Sequence, residues 1–138
     1  MEESYKDDDG KTKTRTVNKS FRVTNLCAGL LAGNSTIQTV SLGNWTSVPD
    51  RFCANCTNLK TVNGIESLLS IGGNAFQGCS NYKASLNLDN IVSIGPDAFL
   101  ASGIESIRTG NSLSRLQGEA FRGCANMKFA EINGSCAI

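Results

Sequence analysis

The sequence is poor in several residue types on which enzymes rely. It holds no histidine, two prolines and one tryptophan in 138 residues. Without histidine, no side chain has an ordinary pKa near neutrality, which argues against acid–base catalysis. A zinc site would also have to form without imidazole ligands. We therefore predict no enzyme activity, no bound metal and no cofactor.

Charge and long apolar runs are scarce as well. The formal net charge is +1, so electrostatics gives no reason to expect a nucleic-acid partner or an anionic membrane. No apolar run approaches the roughly 18 residues of a membrane span, and we expect no membrane insertion. Residues 1–10 are polar and acidic, without the apolar segment of a secretory signal. Three interpretations of location stay open: an intracellular protein, a virion protein assembled in the cytoplasm, or a cell-surface protein whose signal has been removed.

The chain does contain an internal repeat of 22 to 23 residues. Residues 70–79, 93–99 and 115–124 show it plainly. In every copy an apolar residue lies five positions before a second one, and the pairs are Leu26 and Leu31, Val48 and Cys53, Ile71 and Phe76, Ile94 and Phe99, and Leu116 and Phe121. A repeat of this length indicates stacked units, because one unit cannot bury its apolar face alone.

Each unit is predicted to contain a strand, a second short extended piece and a helical piece. Alternation such as Val40-Ser41-Leu42 is typical of a strand with one buried face. Asn74, Asp97 and Glu119 open the helical piece, where we expect their side chains to cap free N–H groups. We also expect near-complete burial of the central apolar pairs, Ile71, Phe76, Ile94, Phe99, Leu116 and Phe121.

The run S-I-G-x-x-A-F-x-G-C-x-N resembles the BspA-like, Treponema pallidum-type leucine-rich repeat. Residues 70–81 match it nearly throughout, residues 93–99 and 119–126 match strongly, and residues 26–37 and 48–59 are degenerate. The resemblance covers about residues 24–133. It implies an α/β repeat, a right-handed solenoid of about five units with a strand ladder on one side and short helical turns on the other. It also implies protein binding and cell-surface attachment, and it brings no catalytic residues.

We predict two parts, a charged arm at residues 1–20 and the solenoid at residues 21–138. The arm carries five acidic and five basic residues, a composition that is disordered alone but can order on a partner. Residues 12–23 alternate in part, ending in Val17, Phe21 and Val23, which suits a cap strand. No polar cap follows Ile132, so apolar surface at that end favours association; the alternative is that the last few residues suffice as a cap.

The six cysteines follow the repeat more than they suggest chemistry. Cys56, Cys79 and Cys124 share one repeat position and Cys53 takes the phenylalanine position, which predicts buried, reduced and unliganded thiols. Cys53 and Cys56 form a lone C-x-x-C, and a thiol or metal enzyme would rest on that motif alone. Cys27 and Cys136 lie outside the repeat positions, without an obvious partner.

The outward strand positions form the candidate binding surface, because solenoids commonly bind partners there. The predicted function is a non-catalytic protein–protein interaction or structural module, a subunit docking in a larger assembly such as a virion, with a protein partner or further copies of itself. The alternative is a cell-surface adhesin or host-interaction protein. The candidate partner-binding residues are Thr39, Ser41, Thr61, Asn63, Ser85, Asn87, Ser106, Arg108, Phe129, Glu131 and Ile132.

Overall fold

The structure is a computed structural model that describes the backbone of residues 2–6, 12–16 and 19–22, and both backbone and side chains of residues 27–135. Leu26, Val17, Val23 and Cys136, which the sequence analysis singled out, lie outside these residues. The described part forms one 3-10 turn, Ile65–Ser67, and the strands β1 (Glu2–Lys6), β2 (Thr12–Thr16), β3 (Lys19–Arg22), β4 (Ile37–Ser41), β5 (Ser47–Val48), β6 (Thr61–Asn63), β7 (Ser70–Ile71), β8 (Ser85–Leu88), β9 (Ser93–Ile94), β10 (Ser106–Thr109), β11 (Arg115–Leu116) and β12 (Phe129–Glu131).

The strands stack into two parallel ladders, as expected when each coil repeats the last. The first ladder contains β3, β4 and β6 in one sheet and β8, β10 and β12 in another; the second contains β5, β7, β9 and β11. Val40 lies opposite Val62, 22 positions further along the chain, and Ile71 lies opposite Ile94, 23 positions further. The four strands of the second ladder mark about four turns of a short β-solenoid. Strands β1 and β2 form a separate antiparallel hairpin.

The first ladder is interrupted between β6 and β8, which belong to different sheets. The spacing from Val62 to Leu86 is 24 residues, longer than at neighbouring coils, because the third copy carries an extra residue. Gly64 has φ +92° and directs the chain out of β6 into the turn Ile65–Ser67. This turn contacts β8, so the coils remain packed although the strand pairing breaks.

The core is a column of apolar side chains along the solenoid axis. Ile71, Phe76, Ile94 and Phe99 are at most 2% exposed, as predicted. The rings of Phe76 and Phe99 stack with centroids 5.4 Å apart, and Phe121 stacks on Phe99 at 5.5 Å. This geometry is favourable for aromatic pairs beyond the apolar area that they bury.

The column extends to the second copy through a residue that the repeat alignment missed. Phe52, one position before the aligned Cys53, is fully buried and meets Phe76 edge-on with ring centroids 6.5 Å apart. The second copy therefore contributes an aromatic ring from the neighbouring position, although its aligned residue is a cysteine.

The prediction that Leu116 and Phe121 are almost fully buried is wrong. Both are only partly buried, because in the described residues no further coil lies against them. In the same coil, Asn133 bonds back to the preceding strand, since its N–H donates to Thr109 Oγ1 at 2.8 Å and its Nδ2 donates to the Thr109 carbonyl at 3.0 Å.

The α/β class is not confirmed, because the predicted helical pieces are stacked turns. Asn74, Asp97 and Glu119 have φ of +58°, +55° and +60°, a left-handed conformation that a helix does not contain. Alternate N–H groups leave the turn: the Phe76 N–H donates to the Ala98 carbonyl of the next coil at 2.7 Å. Backbone bonds between coils thus replace the i to i−4 bonds of a helix.

The capping role predicted for Asn74, Asp97 and Glu119 is also wrong. Asn74 Nδ2 donates to Gln77 Oε1 at 2.6 Å, and Glu119 pairs with the Arg122 guanidinium at 2.8 Å. The buried Oδ1 of Asp97 has no hydrogen-bond partner among the described residues. Asparagine and aspartate tolerate a left-handed backbone. We therefore explain their presence at this repeat position by the backbone conformation of the turn instead of by capping.

We expect Tyr82→Phe to stabilise the solenoid. The Tyr82 hydroxyl is buried without a hydrogen-bond partner in the described part of the chain. Burial is the larger cause, and the nearby Cys79 the smaller one, that raises the pKa of this phenol above its ordinary value of about 10. Removing an unsatisfied buried group should raise the free energy of unfolding at neutral pH by about 1 kcal/mol.

The same variant should be less sensitive to alkali. The pKa of Tyr82 is higher in the folded than in the unfolded chain, so the unfolded phenol loses its proton first as the pH rises. The stability that this difference contributes is complete below about pH 10 and is lost as the pH rises further. Urea unfolding of wild type and Tyr82→Phe, at pH 7 and above pH 10, measures both effects. A variant less stable than wild type at neutral pH would mean that the hydroxyl has a hydrogen-bond partner.

Candidate functional site

The predicted binding row on the first ladder lies in register on both sheets. Thr39 is opposite Thr61 and Ser41 is opposite Asn63. On the other sheet, β10 places Ser106 between Ser85 and Phe129, and Arg108 between Asn87 and Glu131. The interruption between β6 and β8 divides these residues into two patches instead of the single face that the sequence suggested.

The two patches differ in chemistry. In the first, Asn63 Nδ2 donates to Ser41 Oγ at 3.2 Å, and all four side chains are neutral. In the second, Arg108 Nε lies 3.8 Å from Glu131 Oε2, and the two side chains are 60% and 42% exposed. Such an exposed pair contributes little to stability and leaves its charges available to a partner.

Two of the predicted residues present apolar surface. Phe129 is 55% exposed and Ile132 is 40% exposed. Phe129 belongs to the outward row, whereas Ile132 lies two residues after the inward Ala130 and therefore shares the core-facing side. The last described coil is thus the most apolar part of the candidate surface.

A second row, on the second ladder, was missed by the sequence reasoning. Ser47, Ser70 and Ser93 are in register on the outward side, and Arg115 follows them. They line an open groove of about 780 Å³ with Trp45 among its walls. The sequence did contain a signal for this second row, since a serine precedes the isoleucine in each S-I-G run. Because side chains alternate along a strand, a buried isoleucine places that serine on the outer face.

The ladder cysteines bond from one coil to the previous one. Cys56 Sγ donates to the Leu31 carbonyl at 3.1 Å, Cys79 Sγ to the Cys53 carbonyl at 3.0 Å, and Cys124 Sγ to the Phe99 carbonyl at 3.0 Å. The five described cysteines are free thiols. No group of ligating side chains in the described part of the chain could hold a metal ion.

The repeat geometry agrees with the comparison with known families. The family model of the BspA type leucine rich repeat region matches residues 25–138 in six copies. The chain belongs to this family. The match extends from the first described coil through the last and includes the degenerate copies. Its six copies exceed the five that the sequence pattern suggested.

A solved structure shows the same fold. The BspA-type chain is similar to a leucine-rich repeat protein from Bacteroides ovatus ATCC 8483, with a TM-score of 0.75 at 17% identity over 98% of this chain. It spans 40% of the length of that protein. No curated protein matches the chain. Membership in the family indicates a protein–protein interaction module, and repeats of this kind are typically non-catalytic.

Thiol acidity in this BspA-type chain is set by burial and by the interaction of neighbouring thiols. Burial raises the pKa of Cys79. At the C-x-x-C pair, the hydrogen bond between the two thiols raises the pKa of Cys53 and lowers that of Cys56. Both side chains are fully buried, so protein packing keeps reagents away from either sulfur.

Among the described residues, moreover, no helix is long and apolar enough to cross a membrane.

Thiol labelling should follow burial. Cys27 is exposed, Cys124 is half-buried, and Cys53, Cys56 and Cys79 are buried. We expect iodoacetamide to modify Cys27 within minutes, Cys124 more slowly, and the three buried cysteines only when the protein unfolds. Peptide mass spectrometry resolves the sites, and the same reaction in denaturant is the control. Rapid labelling of Cys56 or Cys79 in native protein would contradict the packing described above.

Proposed function

We propose that the chain is a non-catalytic protein-interaction module that docks in a larger assembly through its last described coil. The supporting observation is the exposure of apolar side chains there, 55% for Phe129 and 40% for Ile132. In the preceding coils the matching inward residues, Thr109 and Leu88, are fully buried. Aromatic residues and arginine are enriched at protein-binding interfaces, and exposed apolar patches mark interaction sites.

The alternative is a cell-surface adhesin or host-interaction module. Its support is the family, whose members are often surface proteins, together with the polar outward row. In that case the contacts lie on the outward patches rather than at the last coil. A virion is one assembly that would fit the docking proposal, and the identity of the partner distinguishes it from others.

A comparison of three proteins tests these proposals. Wild type, Ile132→Lys and Thr61→Lys, each tagged, are expressed in the native host, and lysates are fractionated by size with detection of the tag. Thr61 is an exposed residue of the outward row, which makes it the matched control. We expect wild type and Thr61→Lys to elute in a large complex and Ile132→Lys to lose at least about tenfold of that population.

Other outcomes decide against the docking proposal. Elution of wild type as a monomer of 14.6 kDa would remove its support. Loss of the complex in Thr61→Lys but not in Ile132→Lys would favour the outward row and the adhesin interpretation. Thermal unfolding of each variant verifies that the solenoid remains folded.

A further inference from the structure

The second ladder carries a row of hydroxyl groups that the chain itself does not use. Ser47, Ser70 and Ser93 lie in register on the outward side of β5, β7 and β9. In the described part of the chain, their hydroxyls form no hydrogen bond with a side chain or with the backbone. Because neighbouring strands lie about 4.8 Å apart, the row presents one group that both donates and accepts on each coil.

The groove beside this row has the size of a ligand site. Its volume of about 780 Å³ lies within the range of about 300–1,000 Å³ that is usual for small-molecule sites. Gly72, Gly73 and Gly95 line its middle and carry no side chain that could cover the serines. Larger side chains lie at its two ends, Trp45 beside β5 and Arg115 on β11.

The backbone along the groove is already hydrogen-bonded, which disfavours a peptide ligand. The Gly95 N–H donates to the Ile71 carbonyl of the preceding coil at 2.8 Å. An added peptide strand needs open backbone groups, whereas this face offers side chains. Sugar hydroxyls donate and accept as serine hydroxyls do, so they match the row. The other N–H groups that donate to the preceding coil belong to Ser70, Gly72, Ser93, Arg115 and Gln117.

Trp45 supplies an aromatic surface at one end of the groove. It is half-buried and packs against the core, so its ring is held in place where it lines the groove. One face of a sugar ring consists of C–H groups and is apolar, and it can therefore pack on an indole ring while the hydroxyls at the ring edge stay hydrogen-bonded.

The uncompensated charge of the groove is positive and lies at the other end. Arg115 is exposed and forms no ion pair with a described residue. Asp50 and Arg51 are neighbours near Trp45 and offset each other, and Asp50 Oδ1 accepts from the Gly73 N–H at 2.8 Å. Because a guanidinium binds a carboxylate through two N–H groups, the charge of Arg115 complements an acidic ligand.

We propose that the groove of the second ladder binds an acidic oligosaccharide, with a sugar ring on Trp45, ring hydroxyls on Ser70 and Ser93, and a carboxylate on Arg115. The site lies on the other ladder from Ile132, so it is separate from the docking surface proposed above. Glycan binding is thus a second function of the chain, and either function can fail without the other.

An array of immobilised oligosaccharides, some neutral and some carrying carboxylates, tests the proposal with wild-type protein. A glycan that binds is then titrated in solution beside its neutral analogue. Trp45 is the single tryptophan of the chain, so its fluorescence reports occupancy of this groove. We expect a carboxylate-bearing glycan to bind and to shift the Trp45 emission, and its neutral analogue to bind more weakly.

Two double variants test the hydroxyl row. Ser70→Ala with Ser93→Ala removes two hydrogen-bonding groups from the groove and should weaken binding at least about tenfold. Ser85→Ala with Ser106→Ala is the matched control, because these serines occupy the outward row of the first ladder. The control should bind as wild type does, and thermal unfolding verifies that both proteins remain folded.

The charge is tested by Arg115→Gln, which should lower the affinity for the acidic glycan to that of the neutral analogue. Arg108→Gln, on the first ladder, is its control and should change neither affinity. Any of three results would overturn the proposal: no oligosaccharide of the array binds, both double serine variants lose affinity equally, or a hexaglutamate peptide binds more tightly than every glycan. The last result would assign the groove to an acidic peptide.

Discussion

Phe99→Ala is expected to lower the free energy of unfolding by about 3–5 kcal/mol. Phe99 is fully buried and its ring stacks on Phe76 at 5.4 Å and on Phe121 at 5.5 Å. Truncation removes both ring contacts and leaves a cavity in the middle of the column. Because small domains have a total stability of about 5–15 kcal/mol, the variant should unfold at much lower urea concentration than wild type.

Phe129→Ala is the matched control for Phe99→Ala. The same side-chain atoms are removed from a residue that is 55% exposed, so we expect a loss below about 1 kcal/mol. Chemical denaturation of dilute samples keeps any association out of the comparison. Equal losses in the two variants would contradict the assignment of Phe99 to the core and of Phe129 to the surface.

Gly95→Ala is expected to destabilise the solenoid by at least about 2 kcal/mol, through crowding between coils. A Cβ at Gly95 would lie 2.5 Å from the Gly73 nitrogen and 2.8 Å from the Gly72 carbonyl carbon. Both neighbours are backbone atoms, so a side-chain rotation cannot relieve the contact. The glycine of the S-I-G run is thus required by the close approach of successive coils.

Gly118→Ala separates this crowding from the general effect of replacing glycine. An added Cβ there meets nothing within 4 Å, and Gly118 is not among the residues with positive φ. We expect a change within about 1 kcal/mol, and a small gain if the loss of unfolded-state entropy dominates. Thermal unfolding of the two variants makes the comparison. A Gly95→Ala protein as stable as Gly118→Ala would mean that the coils have room to separate.

The period and the apolar pairs were enough to predict the stacking. They placed Ile71 opposite Ile94 and put Phe76 and Phe99 in one buried column, since equivalent residues of stacked units must meet. The outward row could also be counted from alternation, from Thr39 to Glu131. These features follow from the repeat pattern alone. They could be predicted from one sequence because that sequence contains the pattern several times.

Other features depend on contacts between coils, which a repeat pattern does not contain. The turn at Asn74 resembles a helix start in sequence, yet its N–H groups bond to the next coil. The alignment assigned this core position of the second copy to Cys53, but the ring that packs in the aromatic column belongs to the adjacent Phe52. Leu116 and Phe121 have the sequence of core residues, but their exposure depends on what lies against the last coil.

Amide hydrogen exchange, measured residue by residue, tests the central claim that the turns bond from coil to coil. The account predicts strong protection of the Phe76 and Phe99 amides at any concentration. It predicts faster exchange of the Phe121 and Gly123 amides, whose N–H groups donate to no described residue. Exchange at Phe76 and Phe99 as fast as at Phe121 and Gly123 would contradict the stacked turns.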